Sequence, residues 1–461
     1  MTEKLASFIV ETEYEHVPRE AVRIAKKAAL DCLSVALAGC TEPAVEILAR
    51  QTARMGTVSE AGVFCQGFKA AVELAAWVNG TMCHTLDYDD TFPSSVGYNC
   101  HPTAAVLPAV LAIGQKCGIL GKDILLAYII GVEVESRIGL TCGLLQSELG
   151  WHPTAIIGSM GSAASVAKLM GLNKIETQIA LGIAGSLAGG LQKNFGTMTK
   201  ALHAGNAARN GVVACLLAQN GFTANSNILD GTSGFCSVFS GGARRRLLDK
   251  TWDLGNNWHT ISPGISIKPY PSCRATHSSI DAILYLKKKY NIRADQVAEI
   301  TCKTSKMVPK LAMYNQPTNG YEGKFSLEYC VAIALLDGEV SLKQFTDSKV
   351  LSTAAQQLLR KIKLVHPDNW PIGVDLMQEL MVKLKDGTEY SHSVEIPKGD
   401  PENPMSDKEL LTKFRDCASL FLMPSESGRL IELIYELESL NDISELMDIM
   451  TNAGKIQGSV K

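Results

Sequence analysis

Apolar residues recur every three to four positions through most of the first 262 residues of this chain. That spacing predicts buried or amphipathic helices over residues 19–38, 70–86, 103–117, 122–140 and 154–170. Gly118, Gly171 and Asn220-Gly221 supply the turn signals between periodic stretches. Runs such as GSMGSAASVAKLMG and GIAGSLAGGL are built from small residues, which predicts helices that approach one another closely. These glycines sit inside helical patterns and follow no predicted strand, so they do not read as a dinucleotide-binding loop.

The pattern changes near Ser262-Pro263-Gly264. One more helix is predicted over residues 272–290, and 297–303 then alternates like a strand. Residues 381–385 and 388–396 flank Asp386-Gly387, a strong hairpin signal. A helix near 352–361 completes a small α+β unit. The turn-rich segment 398–404 leads into Ser406-Asp-Lys-Glu409, a capping box that opens a helix through Leu420, and an amphipathic helix follows over 428–440. The expected fold is mainly α with α+β: a large all-helical domain made from residues 1–263 and 399–461, with an α+β domain, 264–398, inserted between them.

Composition narrows the function. The chain has 461 residues, 46% of them hydrophobic and 20% charged, with 44 basic and 47 acidic residues giving a net charge of −3. No basic stripe stands out, which argues against nucleic acid as a partner. The runs Arg244-Arg245-Arg246 and Lys287-Lys288-Lys289 read as solvated segments. Thirteen cysteines are scattered without a CxxC, which argues against zinc fingers, iron–sulfur ligation and a disulfide scaffold. Cys32, Cys215 and Cys330 lie in apolar runs and are expected in the core. The N-terminus is acidic early and has no long apolar stretch, so neither a secretory signal nor a transit peptide is expected. No charge-free apolar run of about 20 residues suggests a transmembrane helix. The expected location is cytoplasmic, with no membrane partner.

Candidate chemistry begins with a repeat. His-Pro-Thr-Ala occurs at 101–104 and again at 152–155. Pro suits the first helical position, which leaves each His at an N-cap beside unpaired N–H groups and the positive end of a helix dipole. Two such ends, with lysines elsewhere, suggest a pocket for a small polycarboxylate. The densest polar cluster, HTLDYDDT, carries His84, Asp87, Asp89, Asp90 and Thr91 at the end of a predicted helix. Acids there are opposed by the dipole. One of them can orient a His or Lys, and another can hold a proton. A Mg2+-diphosphate site of the helical synthase kind is a distant alternative, because no second acidic motif is found to face this one. Lys200 and His203 lie three apart, on one face of a helix among small residues. A buried Lys there needs an anion, either Asp87 or a substrate carboxylate. The segment KPYPSCRATH holds Lys268, then Ser272 as a possible helix cap, then Arg274 as a fork for carboxylate.

The segments HTLDYDDT, the two HPTA helix starts, TKALHAGNAARNG, KPYPSCRATHSSIDA and FSLEYCVAIALLDG together resemble the MmgE/PrpD family. The resemblance implies a helical domain with a smaller α+β lid, a homodimer, and lyase chemistry that uses no metal and no organic cofactor. It implies decarboxylation of cis-aconitate to itaconate, with dehydration of 2-methylcitrate or citrate and epimerisation of an imino-dicarboxylate such as iminodisuccinate as alternatives. HPTAAVLPA is closer to the decarboxylating and epimerising branches than to the dehydratases, which carry an HPSDN-like sequence. The family's pocket residues fall on Asp87, Thr91, His101, His152, Lys200 and Lys268, with Tyr314 as a further match. His101, Asp87 and Lys200 are the expected catalytic residues. Thr91, His152, Lys268 and Tyr314 are the expected substrate-binding residues. The connection FPSSVGYNC between Thr91 and His101 is expected at the pocket.

Overall fold

The computed structural model describes residues 1–56, 58–93, 100–143, 145–242, 252–370 and 376–454. Most of the connection between Thr91 and His101, and the run Arg244-Arg245-Arg246, lie outside the described residues. The chain forms two compact units. The first comprises residues 1–194, 198–265 and 406–461, and the second comprises 195–197 and 266–405.

The first unit is helical apart from one small hairpin. Its helices are α1 (Thr2–Glu11), α2 (Arg19–Gly39), α3 (Pro43–Arg54), α4 (Val72–His84), α5 (Pro102–Cys117), α6 (Gly121–Cys142), α7 (Pro153–Leu169), α8 (Lys174–Leu187) and α9 (Met198–Gln219). The predicted helix over 70–86 is shorter in the structure, because Ala70 belongs to a hairpin of β1 (Ala61–Val63) and β2 (Phe68–Ala70) that the periodicity did not suggest. Strands of three residues are too short to show alternation.

At the centre, α9 packs on α4 and α7, and α5 packs on the same two helices. Small residues make this possible. A Cβ at Gly205 of α9 would lie 2.3 Å from the Trp77 carbonyl oxygen of α4, and one at Gly211 would lie 2.5 Å from the Ala163 nitrogen of α7. Either contact would force the helices apart, and with them the side chains at the helix ends described below. Cys32 and Cys215 are fully buried in this unit, as expected of small hydrophobes. Among the described residues no single helix is long and apolar enough to cross a membrane.

The second unit carries a mixed four-stranded sheet in the order β4-β3-β5-β6, from β3 (Val297–Thr304), β4 (Ile362–Val365), β5 (Gln378–Leu384) and β6 (Glu389–Val394). β3 pairs parallel with β4, Ile300 opposite Ile362, and antiparallel with β5, Ile300 opposite Val382. The β5–β6 turn is the Asp386-Gly387 signal: Gly387 has φ +89° and Thr388 N–H donates to Asp386 Oδ1 at 2.9 Å. Helices α10 (His277–Tyr290), α11 (Leu327–Asp337) and α12 (Thr353–Leu359) complete its core around Ile280, Ile300, Val331 and Val382.

One expectation for this unit needs correction. Ser272 does not cap the helix that follows. A 3-10 turn over Arg274–Thr276 intervenes, and Ser272 Oγ lies 2.9 Å from Thr276 Oγ1 instead. Arg274 is taken up internally: its guanidinium pairs with Asp400 at 2.7 Å and donates to the Lys398 carbonyl at 3.0 Å.

The C-terminal helices α13 (Asp407–Ala418), α14 (Pro424–Tyr435) and α15 (Ser444–Asn452) return to the first unit. α13 opens with the predicted Ser406/Glu409 capping box and packs on α2. Its Lys413 is buried and pairs with Asp31 of α2 at 2.6 Å.

Candidate active site

Both HPTA copies start helices in the expected way. His101 is the N-cap of α5 and His152 that of α7, each with Pro at the first helical turn. The rings do not cap their own helices; they turn to other polar groups. The two copies are also tied together, since the His101 backbone N–H donates to Thr154 Oγ1 of the second copy at 3.1 Å.

The acidic segment follows α4, which ends at His84. Asp87 then adopts φ +52°, the left-handed region, and its N–H donates to the His84 carbonyl at 3.2 Å. Asp tolerates this region better than bulkier residues. The reversal carries Asp87, Asp89 and Asp90 past the helix end, so none of them suffers the dipole penalty that their position in the sequence suggests. Each finds a separate positive or donor group. Asp87 Oδ1 accepts from Lys200 Nζ of α9 at 2.7 Å. Asp89 lies 2.9 Å from His84 Nδ1 and 3.0 Å from His101 Nδ1. Asp90 accepts from the Thr103 backbone N–H at 3.3 Å and from the Thr103 hydroxyl, in the first turn of α5, where a dipole favours an acid. The Thr103 hydroxyl continues to Tyr128 at 2.6 Å.

Lys200 Nζ also meets His84 Nε2 at 2.9 Å, and His101 Nε2 faces Asp87 Oδ1 at 3.6 Å. Asp87, Lys200, His84, Asp89 and His101 therefore form a closed ring of contacts, and all five side chains are buried. His152 extends it: its ring stacks 5.9 Å from that of His84, and its Nδ1 lies 2.9 Å from His203 Nδ1. One of those two nitrogens must carry the proton, so His152 and His203 have opposite tautomers.

Burial sets the charges. Burial pushes the Asp89 carboxyl up, but the His84 and His101 rings outweigh it and hold Asp89 well below the usual carboxylate range. Asp90 goes the other way: burial, reinforced by Asp31 and Asp89, raises it well above its ordinary value. Burial, with the Lys200 charge nearby, depresses His152 strongly, and burial with His84 and Lys200 brings His203 down to about 4. His84 is lowered too, chiefly by burial.

His84, Asp87, Asp89 and His101 present donor atoms within 4.8 Å of one another, a set that could hold a metal ion by donor type. The Lys200 ammonium already sits against two of the four, Asp87 and His84. The chain itself thus supplies one positive charge against the two carboxylates of this set.

Of the expected site residues, Asp87, His101 and Lys200 come together directly, and His152 adjoins them through His84. Thr91 is fully buried, and its hydroxyl has no hydrogen-bond partner among the described residues. Lys268 and Tyr314 belong to the second unit. Lys268 is fully buried there, and the Tyr314 hydroxyl donates to the Phe195 carbonyl at 2.8 Å. Sequence reasoning placed His84, Asp89 and His203 in polar clusters without giving them roles. Their signal is their place in polar clusters at or beside apolar helices, where buried polar groups need partners.

The MmgE/PrpD N-terminal domain profile matches residues 3–248 and the C-terminal domain profile matches residues 270–439. The chain is similar to the cis-aconitate decarboxylase of Mus musculus, 30% identical over 98% of this chain and 93% of that protein. It is similar to the enzyme of the same name from Homo sapiens, at 29% over 98% and 94% of the two chains, and to that of Aspergillus terreus, at 29% over 95% and 93%.

Proposed function

Because the chain belongs to the MmgE/PrpD family, we propose that it is a lyase acting on a small carboxylate, and that its reaction is the decarboxylation of cis-aconitate to itaconate. The observation that carries this reading is the buried ring of Lys200, Asp87, His84, Asp89 and His101, in a chain whose full-length relatives are named for that reaction.

The charge count supports it. With both rings neutral, the five groups hold two carboxylates and one ammonium, a net charge of −1. One further proton, on a ring, brings the cluster to neutrality. Decarboxylation needs one such proton. The C–C bond to the departing carboxylate breaks, its electron pair forms the terminal double bond, and the original double-bond pair shifts to the far carbon. That carbon takes a proton, which we assign to His101 Nε2. Lys200 and His152 hold substrate carboxylates and offset the negative charge that grows in the transition state. Asp87 orients Lys200, and Thr91 supplies a hydroxyl. The family resemblance also assigns Lys268 and Tyr314 to substrate binding. We carry forward as proposals a homodimeric state, a cytoplasmic location and independence of metal and organic cofactors.

The test is incubation with cis-aconitate, with and without EDTA, followed by proton NMR. Itaconate in both samples is the expected result. Hydration to citrate or isocitrate would assign the chain to dehydratase chemistry. Unchanged aconitate, with turnover of iminodisuccinate, would assign it to epimerisation.

A further inference from the structure

Asp89 touches none of the groups proposed to hold a carboxylate, yet among the described residues it is the acid bonded to two histidines. Its carboxylate lies 2.9 and 3.1 Å from His84 Nδ1 and 3.0 Å from His101 Nδ1. A carboxylate can only accept, so each ring must present Nδ1–H to it. A second constraint reaches the same result for His84. Its Nε2 faces the Lys200 ammonium at 2.9 Å. An ammonium can only donate, so Nε2 must carry a lone pair. A neutral His84 with its proton on Nδ1 satisfies both neighbours, and no other protonation state does. With its Nδ1–H on Asp89, His101 has Nε2 as its other ring nitrogen, 3.6 Å from Asp87 Oδ1.

We propose that Asp89 is a positioning residue that locks His84 and His101 as Nδ1–H tautomers, so that His84 Nε2 accepts from Lys200 while His101 Nε2 is kept as the nitrogen that gains and gives the catalytic proton. This rests on the reading of His101 as the proton donor, but its structural half does not depend on any substrate. Asp89 is fully buried, and so are His84 and His101 within a few per cent. Their rings are in edge contact, with centroids 4.4 Å apart, so neither can rotate without displacing the other. Asp89 thus couples the two halves of the ring of contacts. Lys200 is held through His84, the proton-carrying nitrogen is held through His101, and one carboxylate sets both.

Asparagine separates this role from mere packing. Its amide has nearly the shape of the carboxylate, but it puts a donor nitrogen at one of the two oxygen positions that His84 and His101 now share. His84 Nδ1 meets both carboxylate oxygens and His101 Nδ1 meets Oδ2, so the amide nitrogen, whichever place it takes, faces at least one Nδ1; that ring must turn to Nε2–H or lose its bond.

The experiment is two-bond 15N–1H NMR of 15N-histidine-labelled protein at pH 8, with the His84 and His101 signals assigned from His84→Gln and His101→Gln spectra. It is combined with kcat and KM for cis-aconitate in Asp89→Asn and Asp89→Glu. In the wild type both rings should read as Nδ1–H tautomers. In Asp89→Asn at least one should read as Nε2–H, with kcat down 10²–10⁴-fold and KM within about threefold. Asp89→Glu, which keeps two acceptor oxygens, should restore the tautomers and part of kcat. A wild-type spectrum with either ring as Nε2–H overturns the proposal, whether or not the protein consumes aconitate. So does an Asp89→Asn variant with the expected tautomer change and an unchanged kcat. Absence of aconitate turnover in the wild type, with both tautomers as expected, would overturn the proposed reaction and support the tautomer lock.

Discussion

Lys413 gives the sharpest test of how the acidic segment is held. It reaches from the C-terminal helix α13 to pair with Asp31 at 2.6 Å, with side chains only 2% and 0% exposed. Its Nζ also donates to the Tyr88 carbonyl at 2.7 Å and lies 3.8 Å from the centre of the Tyr88 ring. Tyr88 stands between Asp87 and Asp89, so this ammonium anchors the backbone of the segment that carries both. Lys413→Met removes the charge and leaves the Asp31 carboxylate in an apolar setting. Breaking a buried pair from one side costs about 3–5 kcal/mol, and the hydrogen bond to Tyr88 lies within that loss at about 1.5–3 kcal/mol. The double variant Asp31→Leu/Lys413→Met removes the stranded charge as well. Replacing a buried pair by apolar groups of similar volume is close to neutral, so only the Tyr88 hydrogen bond and the cation–π contact, about 2–5 kcal/mol between them, should be lost, without the added cost of a stranded carboxylate that Lys413→Met carries. The expected order of stability is therefore wild type, then the double variant, then Lys413→Met. Urea unfolding followed by circular dichroism measures it. Turnover should fall in both variants, because the Tyr88 anchor is absent from both. The reasoning is refuted if the double variant loses as much as the two single losses added together, since the two groups would then contribute independently and not as a pair.

Other consequences follow from the same site. Thr154→Val keeps the shape of the side chain but removes the acceptor of the His101 N–H; a loss of about 1–3 kcal/mol and a drop in kcat are expected, and unchanged unfolding would sever the link between the two HPTA copies. Glu135 is fully buried with both carboxyl oxygens lacking a hydrogen-bond partner among the described residues, and burial raises it well above its ordinary value; Glu135→Met should therefore stabilise the protein by about 1–3 kcal/mol in urea melts, and a destabilised variant would show that the acid has a partner. His203, held at about 4 against an ordinary 6.5, binds its proton more readily when unfolded. Its neutral form thus contributes full stability above pH 6.5, and that contribution is lost as pH falls toward 4, with a ceiling of about 3 kcal/mol. His203→Asn should flatten this part of the stability–pH curve, and an unaltered curve would assign the acid sensitivity to other groups.

The sequence by itself determined most of the local structure and pointed to several of the polar groups that the structure brings together. Period-3.6 spacing located α2, α5, α6 and α7, because each buries an apolar face long enough to repeat the pattern. Asp-Gly located the β5–β6 turn, and Ser406/Glu409 located the start of α13, because turns and caps depend on a few adjacent residues. His-Pro marked both N-caps for the same reason. Asp87 stood out in the acidic cluster at a helix end, His101 in the repeated HPTA helix start, and Lys200 as a lysine among small residues. What the tertiary structure alone decided is which partners those groups take. Nothing in the spacing between Asp87 and Lys200, or between Tyr88 and Lys413, relates one to the other. Helices that pack closely through Gly205 and Gly211 bring the first pair within 2.7 Å, and α13 returning onto α2 brings the second. The left-handed turn at Asp87 carries three neighbouring acids in three directions: to an ammonium, to two imidazoles, and to a helix N-terminus. Periodicity reports which face of an element is buried; the identity of the group opposite depends on how distant elements pack, and at this site that packing sets which atom carries each proton.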